Sequence, residues 1–269
     1  MPSPARAAAR DAEANPAFRF AARAGYAANG ILHLLIGGLV IAVGAGAVQD
    51  TDQTGAFRAL AAVPLGAVAL WALAAGLVAL GAWHLLQAVA PRGLSGPRRL
   101  ARIAAEAPQG VVFLAVGVVS ASVALGARPH AEQATEGLSA GVLTLPIGGL
   151  VLGAVGVAVA AVGLGFAWMG VRRSFRSKVR IPAGARGVAV TVLGVVGFLA
   201  EGVALVIVGV LLVVAAISVE PDTAGGLDGA VSAVIALPAG PFVAALVGAG
   251  FLAYGLFTIL RARYARLDV

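Results

Sequence analysis

The sequence predicts an all-α integral membrane protein: six transmembrane helices forming three parallel helical-hairpin repeats about a pseudo-threefold axis. Composition is the first reason. Hydrophobic residues are 60% of the 269, charged residues 12%, and mean hydropathy is +0.97, more apolar surface than a soluble domain can bury. The second is repetition. With Gly30, Gly110 and Gly202 in register, Gly37 aligns with Gly117 and Gly209, seven residues later each time. A loop two residues shorter in the first unit then brings Pro64, Pro146 and Pro238 together, with Gly66, Gly148 and Gly240, and Gly81, Gly163 and Gly255. At this glycine content roughly 0.2 all-glycine columns are expected by chance over a unit of about 65 residues; four are present. The third is the alternation of basic and acidic connections between apolar runs.

Six runs carry the spans: Ala24–Val48, Pro64–Ala90, Gln109–Ala127, Leu145–Val171, Gly187–Val219 and Leu237–Leu260. Each is near or above the roughly 20 helical residues that cross a hydrocarbon core. Lipid-facing backbone must satisfy its own hydrogen bonds, and continuous apolar runs lack the alternation of a barrel strand, so helices are required. The expected organisation is a cytoplasmic tail at 1–17, repeat 1 at 18–92, repeat 2 at 98–175, repeat 3 at 186–263 and a second tail at 264–269. Residues 1–23 are polar and the first apolar run is too long for a signal h-region, so the first span is expected to serve as an uncleaved anchor.

Charge sets the expected orientation. Seventeen of 19 basic residues fall on one side: Arg6, Arg10, Arg19, Arg23, Arg92, Arg98, Arg99, Arg102, Arg172, Arg173, Arg176, Lys178, Arg180, Arg186, Arg261, Arg263 and Arg266. Only Arg58 and Arg128 lie opposite, beside Asp50, Asp52, Glu132, Glu136, Glu220, Asp222 and Asp228. The positive-inside rule therefore puts both termini in the cytoplasm. Eighteen of the 19 basic residues are Arg, and Ala and Gly abound, as a GC-rich bacterial genome would produce, so a multi-pass protein of the inner membrane is expected. The net charge of +7 needs no nucleic-acid partner; the lipid bilayer and its anionic cytoplasmic face account for it.

Local punctuation assigns further roles. Pro64, Pro146 and Pro238 are expected in the first turns of the second, fourth and sixth spans, where proline loses no helical bond. Trp83, Trp168 and Tyr254 are expected as interfacial anchors at the ends of those spans. There is no cysteine, and the three histidines show no ligand spacing, so no metal site or cofactor is expected. Too few polar residues remain for a nucleophile or acid–base constellation, so the chain is not read as an enzyme.

The pattern resembles a bacterial multispan membrane family known as domain of unknown function 1206, built from three copies of a two-helix repeat. The resemblance rests on Ala22-Arg23-Ala24-Gly25-Tyr26-Ala27-Ala28-Asn29-Gly30, on Gly250-Phe251-Leu252-Ala253-Tyr254-Gly255, and on Leu145-Pro146-Ile147-Gly148 and Leu237-Pro238-Ala239-Gly240. The first unit has Val63 in place of leucine, and the second reads Ala105-Glu106 where the first has Gly25-Tyr26. It covers about residues 18–263 and implies the architecture; it brings no activity with it.

Polar residues inside the spans are the functional lead. Asn29, Gln109 and Glu201 occupy one repeat column, each just before an aligned glycine. If the odd spans face the axis, they form one polar ring in the cytoplasmic third, with His33 a turn deeper and Glu106 a turn nearer the cytoplasm. Two roles follow. The first is structural, assembly or regulatory, with the polar side chains joining helices and the Arg-rich loops offered to a membrane or cytoplasmic protein partner. The alternative is a channel or transporter for a small solute, ion or proton, because an intramembrane Glu and a His near neutral pKa suit a relay.

Overall fold

The structure is a computed structural model that describes residues 15–47, 50–89 and 96–265. Residues 1–14 and 266–269 of the expected tails, with Arg6, Arg10, Arg92 and Arg266, lie outside the described residues, as does the side chain of Arg98. The described residues form nine α-helices and two short 3₁₀ turns. In chain order these are α1 (Pro16–Gly44), α2 (Gln53–Ala61), α3 (Gly66–Val89), α4 (Gly96–Ala124), α5 (Ala131–Leu143), α6 (Gly148–Arg172), α7 (Ala185–Ser218), α8 (Gly226–Ile235) and α9 (Gly240–Tyr264). The 3₁₀ turns are Ser174–Lys178 and Pro221–Thr223. Six helices, α1, α3, α4, α6, α7 and α9, are long and apolar enough to span a membrane. Even the shortest, at 24 residues, reaches roughly 36 Å at 1.5 Å per residue, against a core of about 30 Å.

The acidic connections differ from the plain loops expected: each carries a helix, α2, α5 or α8. Their acidic residues double as start signals. The Asp52 carboxylate caps α2, accepting from Thr54 Oγ1 (2.7 Å) and from the Gly55 N–H (2.8 Å). Glu132 and Asp228 lie in the first turns of α5 and α8, where the helix dipole favours negative charge. At 9 to 13 residues these helices are too short for an unambiguous apolar period.

Those helices also correct the reading of the prolines. Pro64, Pro146 and Pro238 do not open the spans; each is the second residue of a β-turn between a loop helix and a span. The turns are closed by the N–H of Gly66 to Val63 O (3.0 Å), of Gly148 to Leu145 O (2.9 Å) and of Gly240 to Leu237 O (2.8 Å). The proline ring's fixed φ suits this position as well as a first helical turn. Glycine is needed at the fourth position because a Cβ would strike the end of the loop helix: Leu60 O, Val142 O, and Val234 O with Ile235 O, respectively. Leu65 and Ala239, third in their turns, are left-handed (φ 63° and 60°), at a cost of about 1–2 kcal/mol each.

The chain divides into two compact units, residues 1–31, 60–127 and 258–269 in one, 32–59 and 128–257 in the other. In the first, α3 and α4 run together. A Cβ on Gly81 would lie 2.8 Å from Gly110 O, and one on Gly117 3.2 Å from Ala74 O. In the second, α6 and α7 make the same crossing. Cβ atoms on Gly163 and Gly202 would each lie 2.7 Å from the other's carbonyl, and those on Gly156 and Gly209 2.7 and 2.6 Å. There too, α1 and α9 meet at Gly37 and Gly248, 2.7 and 2.8 Å by the same measure. Residues 74, 156 and 248 share a repeat column, as do 37, 117 and 209. The repeated glycines are thus contact points of one recurring interface, where small residues let backbones approach closely.

Aromatic placement departs from expectation in part. Trp83 and Tyr254 are buried rather than interfacial. Trp83 packs with Phe18 at 5.8 Å in a cluster with Ala22, Tyr26 and Leu80, and Tyr254 meets the Phe198 ring edge-on at 5.4 Å. Trp168 is exposed, with the Arg172 guanidinium 4.8 Å above its ring. α4 also begins well before the expected Gln109 and contains Pro108, which removes one backbone donor within the helix.

Candidate functional site

Two of the sequence-selected residues meet in the second unit. His33 on α1 and Glu201 on α7 approach to 3.4 Å between Nε2 and Oε2, with side chains 14% and 20% exposed. Glu201 lies midway along α7, roughly 24 Å from either end at 1.5 Å per residue. Two aromatics of α9 fix the imidazole: Tyr254 at 4.8 Å and Phe251 at 6.2 Å, both edge-on. A carboxylate this deep costs several kcal/mol unless it is paired, protonated or hydrated, and an imidazole can donate to it or carry its proton.

The pair lines a cavity of about 260 Å³, far above the ~10–15 Å³ that one water requires. Its wall inside the spans is apolar, from Ile36, Ala204, Leu205, Val208 and Phe251. The other lining residues, Asp52, Gln53, Glu132, Thr135 and Gly225–Leu227, come from the acidic connections. Three carboxylates therefore border the cavity, and His33 is the one lining side chain able to carry positive charge. Coulomb attraction in such a space favours a proton or small cation over an anion.

Cross-links hold the acidic connections in place. Thr51 donates its N–H (2.7 Å) and its hydroxyl (2.8 Å) to Asp228 Oδ1, joining the segment before α2 to α8. Arg58 pairs with Asp50, and His130 Nδ1 lies 3.8 Å from the same carboxylate. Burial pushes the Glu132 carboxyl above the usual range, and the nearby Asp228 and Glu136 push it the same way. A carboxyl that holds its proton beyond the ordinary pH thus borders the same space.

The first unit contains a second pair. His84 Nδ1 lies 2.7 Å from Glu106 Oε2, with side chains only 6% and 13% exposed. His84 stacks on Phe113 at 5.5 Å and meets the Tyr26 ring edge-on at 6.4 Å. The Tyr26 hydroxyl accepts from Arg261 Nη2 (3.1 Å), whose guanidinium lies 4.2 Å above the ring. Arg23 donates to the carbonyls of Ala262 (3.0 Å) and Arg263 (2.6 Å). Asn29 is buried in this unit, and Gln109 Nε2 donates to Ala105 O (2.6 Å) one turn back in its own helix. Sequence reasoning selected Glu106 but not His84 as its partner. It also missed Asp52, Gln53, Glu132 and Thr135 as cavity residues, for want of any local motif tying them to Glu201.

With this geometry in view, relatives can be compared. The profile of Domain of Unknown Function (DUF1206) matches residues 24–90, 107–173 and 196–265. The chain belongs to this family. Each DUF1206 segment holds two of the six long apolar helices, so the protein is a multi-pass membrane protein of three internal repeats. The chain is also similar to the uncharacterized protein YxxB of Bacillus subtilis (strain 168), at 25% identity over 265 residues, covering 95% of this chain and 94% of that protein. No solved structure matches it.

Proposed function

We propose that this DUF1206 protein is a non-enzymatic proton or small-cation pathway of the bacterial inner membrane, with the cavity entered from the acidic connections and ending on the His33–Glu201 pair. The observation that carries the reading is the cavity itself: a space bordered by carboxylates at the acidic connections, apolar-walled between the spans, that reaches the His33–Glu201 pair halfway along α7. A carboxylate serving only to join helices would gain from being sealed, since water competes for its hydrogen bonds. The basic connections face the cytoplasm in this reading, both termini included, and the acidic mouth faces the outside.

The absence of cysteine gives a direct test of access and orientation. Single cysteines replace Thr135 at the mouth and Ala204 deeper in the wall, and intact cells are treated with a membrane-impermeant thiol reagent. Both positions are expected to react from outside, Ala204→Cys more slowly; Ser177→Cys in the basic connection is expected to react only after permeabilisation. Labelling of Ser177→Cys alone in intact cells would reverse the orientation, and an inert Ala204→Cys in permeabilised cells would remove the pathway.

A further inference from the structure

We propose that a groove at the basic end of the second unit, between the end of α6, the Ser174–Lys178 turn and the first half of α7, binds an anionic phospholipid. In this site Arg173 and Arg176 take the phosphate, and Val188, Val192 and Val196 line the path of an acyl chain. The inference is independent of the cavity around Glu201.

The loop is built to present its charges. Arg173 ends α6 in the left-handed conformation (φ 55°), its N–H bonded to Gly170 O at 3.1 Å, and the Arg176 N–H returns to Arg173 O at 3.1 Å. Between the two arginines Phe175 is driven inward, 2% exposed, stacked on Phe198 at 5.3 Å and edge-on to Phe257 at 5.1 Å. Gly194 makes room for it: a Cβ there would lie 2.6 Å from the Phe175 ring. With the middle residue pinned, both neighbouring arginines stay exposed at the rim of a groove of about 480 Å³.

The groove has the polarity of a phospholipid. No carboxylate lines it. Its cationic rim offers guanidinium forks, which match phosphate oxygens bidentately. Its wall continues down α7 as valines spaced four apart, 65%, 54% and 43% exposed, one stripe of the helix surface. A free phosphate would use the rim and leave the stripe idle. A soluble acidic peptide would have to enter the acyl region to touch it. A membrane lipid places its charge at headgroup level with its chain below, and basic pockets beside spans suit that shape.

The test is native mass spectrometry of the purified full chain with phosphatidylglycerol, phosphatidylcholine or inorganic phosphate added. Wild type is expected to retain phosphatidylglycerol over phosphatidylcholine roughly tenfold, with Arg173→Gln/Arg176→Gln abolishing the preference. Val192→Trp, which keeps both arginines but fills the groove, is expected to weaken retention as well. Melting in phosphatidylcholine serves as the folding control for each variant. Equal retention of the two lipids, a preference that survives in both folded variants, or displacement of bound lipid by inorganic phosphate would each overturn the proposal.

Discussion

His33–Glu201 and His84–Glu106 place the same two functional groups between helices, yet one pair borders a cavity of about 260 Å³ and the other is closer and more deeply buried. The open pair stands 3.4 Å apart with apolar wall and carboxylates around it; the sealed pair stands at 2.7 Å under the Phe113 ring. An intramembrane His–Glu pair is therefore not by itself a site. At hydrogen-bond distance beneath the Phe113 ring, the closer pair joins α3 to α4. Beside a cavity roomy enough for water, the same groups can exchange protons with any water that enters.

The largest effects are expected at the glycine crossings of the two units. Gly209→Val would push a side chain against the backbone of Gly156 and Ala160, which cannot turn aside, and should cost about 3 kcal/mol in detergent unfolding titrations. Gly117→Val meets the Val78 methyl at 2.9 Å with backbone no nearer than 3.2 Å, a looser crossing that should cost nearer 1 kcal/mol. Equal losses would mean that the two crossings are not differently constrained.

Removing one partner from each pair comes next. Glu106→Ala leaves a buried His84 without its carboxylate and should cost about 1–3 kcal/mol, measured by the same titration. Glu201→Gln keeps a hydrogen-bonding group beside the cavity and should cost less than about 1 kcal/mol. A reversed order would undo the assignment of open and sealed.

A change remote from both pairs calibrates the scale. Leu65 is exposed and left-handed, so Leu65→Gly relieves strain without loss of packing and should raise stability by about 1 kcal/mol. The smallest effect belongs to Glu132, outside the spans. Its folded-state pKa is raised, so the protonated carboxyl's contribution is fully present below the ordinary carboxylate pKa and is lost as pH rises through the folded value. Glu132→Gln should flatten that part of the stability–pH curve and gain less than about 0.5 kcal/mol at neutral pH, given how solvated the group is. A steeper curve in the variant would mean that another group controls it.

Much of this was legible because it is long-range or repetitive. Apolar runs of 19 residues and more cannot be hidden by local ambiguity, and glycine columns such as 37, 117 and 209 show up once the units are aligned. Pairing was not legible. Glu201 meets a histidine 168 residues earlier in the chain, and no motif encodes that partner. His84 looked like an ordinary packing residue and Trp83 like an interfacial anchor because their environment is made by α1 and α4, not by their neighbours in sequence. The prolines misled because a residue with fixed φ serves a β-turn and a helix start equally well, and only the short α2, α5 and α8 decide between them.

The most direct test of the pathway is proton and cation flux through the purified protein in liposomes, under imposed pH and voltage gradients, for wild type, Glu201→Gln and Glu106→Gln. The account predicts flux in wild type, its loss in Glu201→Gln, and its persistence in folded Glu106→Gln. No flux in folded wild type, or flux unaltered by Glu201→Gln, would contradict it and return the His33–Glu201 pair to a purely structural role.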